Sequence, residues 1–427
     1  MAPPPARLPR LRLRDGGAGL LDLPWGSPLA DWSSTEFTFR DLPIGPSRHL
    51  VRFVVIEGRT VALKEEPGRV AEAEFQVLRR LEAAGLPAVA AIGLAQRGSD
   101  EPAILATEYL AFSIQYRRLL MRFPLGPGPY RDRLLDAMAS LLVDLHRAGV
   151  YWGDCSLANT LFRRDGETIQ AYLVDAETSE IHPTLTSGQR ALDLEILVEN
   201  VGFGLADLGS MQGRHDAADD AIEAAESVRD RYNGLWDELS LEPEVSADDR
   251  HAIRARIRRL NDLGFAVDEV NLETTAGGDS VRIRVAVANR RFHARELERL
   301  TGIVALEGQA RLLLNDLREH HAWLELDRGS SIPASAAGER WLGDVLMPSL
   351  ATLAPAIGPT RDAVQAYCDV LEQKWLLSEV NDRDVGLDVA LKAYVELGAP
   401  APEDPSADSS VAFDTDWDFD PGSGAPG

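Results

Sequence analysis

The stretch YWGDCSLANTLF, residues 151–162, sets one acid, Asp154, and one carboxamide, Asn159, among apolar neighbours. A polar group buried without a partner is costly, so the spacing D-x-x-x-x-N raises the question of what compensates it. Thirteen residues past Phe162 the question returns, where YLVDAE ends a β-like apolar run on a second acid, Asp175. Upstream, YRDRLLDAMASLLVDLHRAGV carries Leu134, Leu135, Met138, Leu141, Leu142 and Leu145 at helical spacing, which predicts an amphipathic helix leading into the polar stretch. Downstream, GQRALDLEILVENVGFGLADLG predicts a further helix that carries Asp193.

Toward the N-terminus the pattern changes to strands. EFTFRDL is followed by the turn PIGPSRH, and LVRFVVI and TVALKEE flank EGR as a tight hairpin with Lys64 on its second strand. RVAEAEFQVLRRLEAAG places Val70, Phe75, Val77, Leu78 and Leu81 on one helical face, with Gly85 as its stop, and PAILATEYL adds another strand. Residues 31–110 therefore read as strands with one helix, and 111–240 as mostly helical. Residues 1–30, rich in Pro, Arg and Gly, read as a loosely packed arm. Residues 241–398 open with the helix ADDRHAIRARIRRLNDLG, continue with two strands joined by the hairpin signal AGGDS, and end in several helices, a mixed α/β unit. Residues 399–427 contain seven acids and no base, the composition of a disordered tail. Within it AFDTDWDFD alternates acids with Phe413, Trp417 and Phe419, a motif suited to docking a protein partner. No internal repeat is present.

The chain has 427 residues, 45% hydrophobic and 26% charged, enough for two or three globular domains. A formal net charge of −24 suits a solvated protein and opposes general adhesion to nucleic acid or anionic membrane. No apolar run reaches the length of a membrane span, the basic N-terminus lacks the apolar core of a signal peptide, and Cys155 and Cys368 form no metal spacing. These features together predict a cytoplasmic protein. Only three lysines occur, Lys64, Lys374 and Lys392, so a lysine marks a place where a compact ammonium is needed rather than the default arginine.

The order Lys64, Glu74, Asp154, Asn159, Asp175 resembles the protein-kinase-like superfamily. LHRAGVYWGDCSLANTLF followed by YLVDAE is most similar to lipopolysaccharide-type kinases and aminoglycoside phosphotransferases. The whole architecture resembles an actinobacterial family that carries a C-terminal domain of unknown function 4032. The resemblance implies an α+β, bilobal kinase-like fold, with an N-lobe over 31–110, a helical C-lobe over 111–240 and an additional C-terminal α/β domain. It implies ATP and Mg²⁺ as cofactors, with a nucleotide and a small-molecule acceptor as partners. Asp154 would then be the catalytic base, and Asn159 and Asp175 the metal ligands. Lys64 would hold the α- and β-phosphates, paired with Glu74 rather than Glu72. Glu108, Tyr109 and Leu110 would form the hinge behind the adenine. Asp193 would anchor the catalytic loop.

The departures from that pattern narrow the function. PIGPSRH contains one glycine, Gly45, where kinases have a glycine-rich phosphate loop, leaving Ser47 and Arg48 to contact phosphate. Trp152 and Gly153 stand where protein kinases have His-Arg, and only seventeen residues separate Asp175 from Asp193. A short activation segment without a phosphate-binding arginine favours a small hydroxyl-bearing acceptor (a sugar, a lipid head group or a metabolite) over a docked peptide. The alternative reading is a pseudokinase-like nucleotide-binding scaffold. A nucleic-acid-binding regulator acting through Arg254, Arg258, Arg282, Arg284, Arg290 and Arg291 is the least favoured.

Overall fold

The computed structural model describes residues 9–400 except 15–17, 35, 43–47, 99–100, 123–127, 215–216, 247–248, 275–279 and 360. Its first sheet is antiparallel and six-stranded. The strands are β1 (Arg10–Leu13), β2 (Thr38–Arg40), β3 (Leu50–Ile56), β4 (Arg59–Pro67), β5 (Ala91–Gln96) and β6 (Pro102–Glu108), in the order β1-β5-β6-β4-β3-β2. Both faces are covered. On β6, Ala103 and Leu105 pack with Phe75, Leu78 and Leu81 of helix α1 (Gly68–Ala83), while Ile104 and Ala106 face the opposite side. Alternating burial on two covered faces explains why PAILATE reads as a continuous apolar run.

The opposite face corrects the expectation of a loose N-terminal arm. Arg10–Leu13 pair with Leu94, Gly93 and their neighbours on β5, and Leu20, Leu23, Trp25, Leu29 and Trp32 pack against Val54, Val61, Leu63 and Ile104. Trp25 Nε1 donates to the Leu20 carbonyl at 2.6 Å. The five apolar side chains of this segment cover a sheet face that would otherwise meet water, at about 25 cal/mol per Å² of apolar surface. Burial of that size outweighs the loose composition of the flanking residues.

The second lobe follows the short strand β7 (Ile114–Gln115) and helix α2 (Tyr116–Arg122). Helix α3 (Pro129–Arg147) packs on a small sheet and on later helices. The small strands here are β8 (Val150–Tyr151), β9 (Thr160–Asp165), β10 (Thr168–Leu173) and β11 (Glu180–Ile181), followed by helices α4 (Ser187–Met211) and α5 (Ala217–Ser240). β9 and β10 form an antiparallel hairpin, and β8 pairs with β11. One apolar cluster runs through both lobes, from Ala71 to Tyr232, so the α+β two-lobed architecture is continuous behind its cleft.

The remaining elements are β12 (Glu244–Ser246), α6 (Arg250–Asp262), β13 (Phe265–Thr274), β14 (Ser280–Arg290), α7 (Phe292–Thr301), α8 (Glu307–Arg328), α9 (Ala334–Trp341), α10 (Met347–Ile357), α11 (Ala363–Asn381) and α12 (Leu387–Glu396). The expected pair of strands is present as the antiparallel β13–β14 ladder; most of its AGGDS turn lies outside the described residues. Helices α7 to α12 share a core of their own around Trp341 and Tyr367. That unit grips the turn of the β9–β10 hairpin. Asp165 Oδ1 accepts from the Gln309 amide at 2.7 Å, and Gly166 exchanges two bonds with the Gln365 side chain, at 2.8 and 3.0 Å. Arg164 lies 2.7 Å from Asp369. The start of α8 comes so close that a Cβ on Gly308 would fall 2.2 Å from the Asp165 carbonyl oxygen, which makes glycine obligatory there. The acidic docking motif at 412–420 lies outside the described residues.

Candidate functional site

Strand β4 alternates sides. Val61 and Leu63 face the N-terminal apolar cluster, whereas Ala62 and Lys64 line the cleft. Helix α1 packs beneath the sheet and presents Glu74, only 1% exposed, to the same cleft. β10 leads into Asp175, because its partner β9 starts directly after the 154–159 stretch; the Val174 amide donates to the Asn159 carbonyl at 3.1 Å. The two lobes thus bring three sequence-distant side chains into contact. Lys64 Nζ lies 2.9 Å from Glu74 Oε2 and 3.0 Å from Asp175 Oδ1. The Ala176 amide donates to Glu74 Oε1 at 3.1 Å, tying helix α1 to the segment after Asp175.

Asn159 completes the second lobe's contribution. Its Nδ2 donates to Asp154 Oδ2 at 2.9 Å and to the Asp154 carbonyl at 3.1 Å, which leaves Oδ1 as its acceptor. The loop before it hangs on Asp193, which is fully buried on α4. Asp193 accepts from the Trp152 amide at 2.6 Å, the Gly153 amide at 2.8 Å and His146 Nε2 at 3.0 Å. His146 in turn contacts the Tyr232 hydroxyl through Nδ1 at 2.7 Å. His146 is therefore part of the loop's support, as its helical position suggests, and Asp193 is an anchor rather than a solvated acid.

Lys64, Glu74, Glu108, Tyr109, Leu110, Asn159 and Asp175 all line one cavity of about 200 Å³ between the lobes. Asp154 stands beside it, through Asn159, and Ser47 lies outside the described residues. The Glu108–Tyr109 segment is held through its backbone, the Glu108 amide donating to the Ala90 carbonyl at 2.9 Å and the Tyr109 amide to the Thr60 carbonyl at 3.3 Å. Phe53 meets the Tyr109 ring edge-on at 5.9 Å and, with Val51, Ala62 and Leu161, gives the cavity apolar walls.

Charge is crowded around Lys64. Burial pulls its pKa down, but Glu74, Asp175 and Glu66 together hold it well above the ordinary lysine value. Glu66, two residues along β4 and 1% exposed, has Oε2 only 2.9 Å from Lys64 Nζ. Neither Glu66 oxygen has an aligned hydrogen-bond partner among the described residues. Burial, and then the neighbouring Glu74, push the Glu66 carboxyl up to about 8. Burial also raises Glu74, against the pull of Lys64. Sequence reasoning missed Glu66 and also Glu177. The signal was available, because residues two apart on a strand share a face, and Glu66 follows Lys64 by two. Arg118 of α2 also lines the cavity and was not singled out.

Two family models match separate parts of the chain. Residues 63–208 match the model of the lipopolysaccharide kinase (Kdo/WaaP) family, and residues 234–397 match a domain of unknown function, DUF4032. A curated relative, lipopolysaccharide core heptose(I) kinase WaaP of Pseudomonas aeruginosa, is 28% identical over 148 residues, 33% of this chain and 54% of the relative. The chain thus spans about half the length of that relative. A solved structure described as WaaP in complex with acyl carrier protein aligns with 53% of this chain and 95% of its own at 22% identity, with a TM-score of 0.34. No helix among the described residues is long and apolar enough to cross a membrane.

Proposed function

We propose, from a chain that carries a Kdo/WaaP-family kinase domain ahead of a DUF4032 domain, that it is an ATP- and Mg²⁺-dependent phosphotransferase with a small hydroxyl-bearing acceptor. The observation that carries this reading is the contact of Lys64 with both Glu74 and Asp175, three side chains from two lobes converging on one cavity. Phosphoryl transfer requires positioning and charge neutralisation more than covalent chemistry. Lys64 is the cation for the α- and β-phosphates, and Glu74 fixes its direction. Glu108, Tyr109 and Leu110 back the adenine.

The donor set fits a hard divalent cation. Asp175 offers a carboxylate at the cavity wall, and Asn159 offers Oδ1, its amide nitrogen being committed to Asp154. Mg²⁺ held there would neutralise charge on the phosphates. Asp154, oriented by Asn159 and held on a loop that Asp193 anchors, takes the proton of the acceptor hydroxyl. The acceptor class draws support from the relative's name, which specifies a sugar kinase.

The test is a phosphorylation screen of a metabolite extract with labelled ATP, run beside Asp154→Asn and Asp175→Ala. An enzyme of this kind labels a small molecule in the wild type only. Mg·ATP should raise the melting temperature of wild type and Asp154→Asn but not of Asp175→Ala. Absence of any Mg·ATP stabilisation of the wild type at millimolar concentration refutes the reading. Stabilisation without turnover points instead to a nucleotide-binding scaffold.

A further inference from the structure

The Glu177 carboxylate is gripped from three sides. Arg48 Nη2 lies 2.8 Å from its Oε1, His49 Nε2 lies 3.0 Å from its Oε2, and Lys64 Nζ lies 3.8 Å from the same oxygen. Arg48 and His49 lead directly into β3, Lys64 is on β4, and Glu177 stands two residues past Asp175, whose Oδ1 accepts from the Glu177 amide at 3.2 Å. A guanidinium, an imidazole and an ammonium converging on one oxyanion are the contacts that a phosphate group takes. Stability alone does not account for the arrangement. The Arg48 side chain is 79% exposed, and an ion pair so exposed contributes little to folding.

The charge balance indicates which group must move. Glu66, Glu74, Asp175 and Glu177 surround Lys64, so an entering triphosphate meets four carboxyl groups. Glu66 and Glu74 are buried on the sheet and helix that frame the cleft, and Asp175 is in contact with Lys64. Glu177 is followed by the exposed Thr178, and its side chain is held by Arg48, His49 and Lys64, the groups a phosphate would recruit. A divalent metal is the rival occupant, since ligand atoms of His49, Glu66 and Glu177 lie within 4.8 Å of one another. The Lys64 ammonium already stands 2.9 Å from Glu66 Oε2, so a second cation would first have to expel it.

We infer that Arg48 and His49 form the seat of the nucleotide's terminal phosphate, beside the Lys64 that holds the α- and β-phosphates, and that Glu177 is a tethered competitor which fills this seat until nucleotide arrives. The inference rests on the phosphotransferase reading and deepens it. Side chains here do what backbone N–H groups of a glycine-rich segment do in other kinases. Nucleotide affinity is lowered by the fraction of molecules whose seat is filled by Glu177. Arg48 and Glu177, though partners in an ion pair, therefore act on nucleotide affinity in opposite directions.

The experiment is calorimetric titration of the full chain with Mg·ATP and with AMP, for wild type, Glu177→Gln, Glu177→Asp and Arg48→Ala, each checked by its melting curve. Glu177→Gln should tighten Mg·ATP by about fivefold, the scale of one exposed ion pair. Glu177→Asp, too short to reach the seat, should move affinity the same way and serves if the glutamine variant does not fold. Arg48→Ala should weaken Mg·ATP by about fivefold or more, and AMP should bind all four proteins alike. Unchanged or weakened Mg·ATP binding by a normally melting Glu177 variant overturns the inference. So does a loss that deepens as Mg²⁺ is lowered, which would make Glu177 a metal ligand. A wild type that binds no Mg·ATP removes the phosphotransferase reading itself, and the inference with it.

Discussion

Replacing Asp193 by asparagine keeps the shape of the side chain and removes one acceptor oxygen and the charge. The carboxylate meets the Trp152 amide at 2.6 Å, the Gly153 amide at 2.8 Å and His146 Nε2 at 3.0 Å, with the Cys155 thiol also bonded to it, all in a fully buried place. An asparagine can accept through one oxygen only, and its NH₂ would face a backbone N–H. A hydrogen bond to a charged group contributes about 1.5–3 kcal/mol, and a buried donor left without a partner costs about 1–3 kcal/mol. Relief from burying the carboxylate's charge offsets part of this. The net local loss is then about 3–4 kcal/mol, a factor of roughly 10²–10³ in the opening equilibrium of the loop. Amide hydrogen exchange of the segment 150–156 reads that factor directly, with the sheet of the first lobe as an internal control. Protection at Trp152 and Gly153 that changes by less than about fivefold would refute the claim that Asp193 holds the loop carrying Asp154.

Three further outcomes are expected. Burial lowers the His146 pKa despite the opposing pull of Asp193, so the unfolded chain binds the extra proton first. Stability should hold above about pH 6.5 and fall as pH drops from there toward the folded-state value, and imidazole ¹⁵N shifts should show His146 neutral at pH 6.5. The Glu66 carboxyl, raised to about 8, contributes stability that is complete below the ordinary glutamate range and is lost as pH rises through about 8. Glu66→Gln should flatten the decline of melting temperature between pH 6 and about 9, and parallel curves for the two proteins would contradict that placement. Gly149 has φ +79°, and a Cβ there would fall 2.1 Å from the His182 carbonyl oxygen. Gly149→Ala should therefore cost at least about 2 kcal/mol in chemical unfolding and separate β8 from β11; a loss below about 0.5 kcal/mol would show that the backbone relaxes freely.

Lys64, Glu74, Asn159 and Asp175 stood out in the sequence through their order, which resembles that of kinases, and they line one cavity. Elements whose signal is tertiary were not legible. Strand β5, AIGLAQ, has no β-branched residue except Ile92, and its strand state follows from burial between α1 and the N-terminal segment. Leu20, Leu23, Trp25, Leu29 and Trp32 follow neither a helical nor a strand period, because a segment of short turns lays them on the sheet. Glu177 escaped notice because acids are abundant in this chain, 68 Asp and Glu in all, and only proximity to Lys64 distinguishes it.

The grip of α8 and α11 on Asp165 and Gly166 has a mechanical consequence. The β9–β10 hairpin is a stiff beam whose closed end is clamped in the C-terminal unit and whose open end delivers Asn159 and Asp175. Any tilt at the clamp is transmitted along two paired strands to these two cleft residues. A chain deprived of its last third would keep every side chain of the cleft and lose the fulcrum that sets their angle.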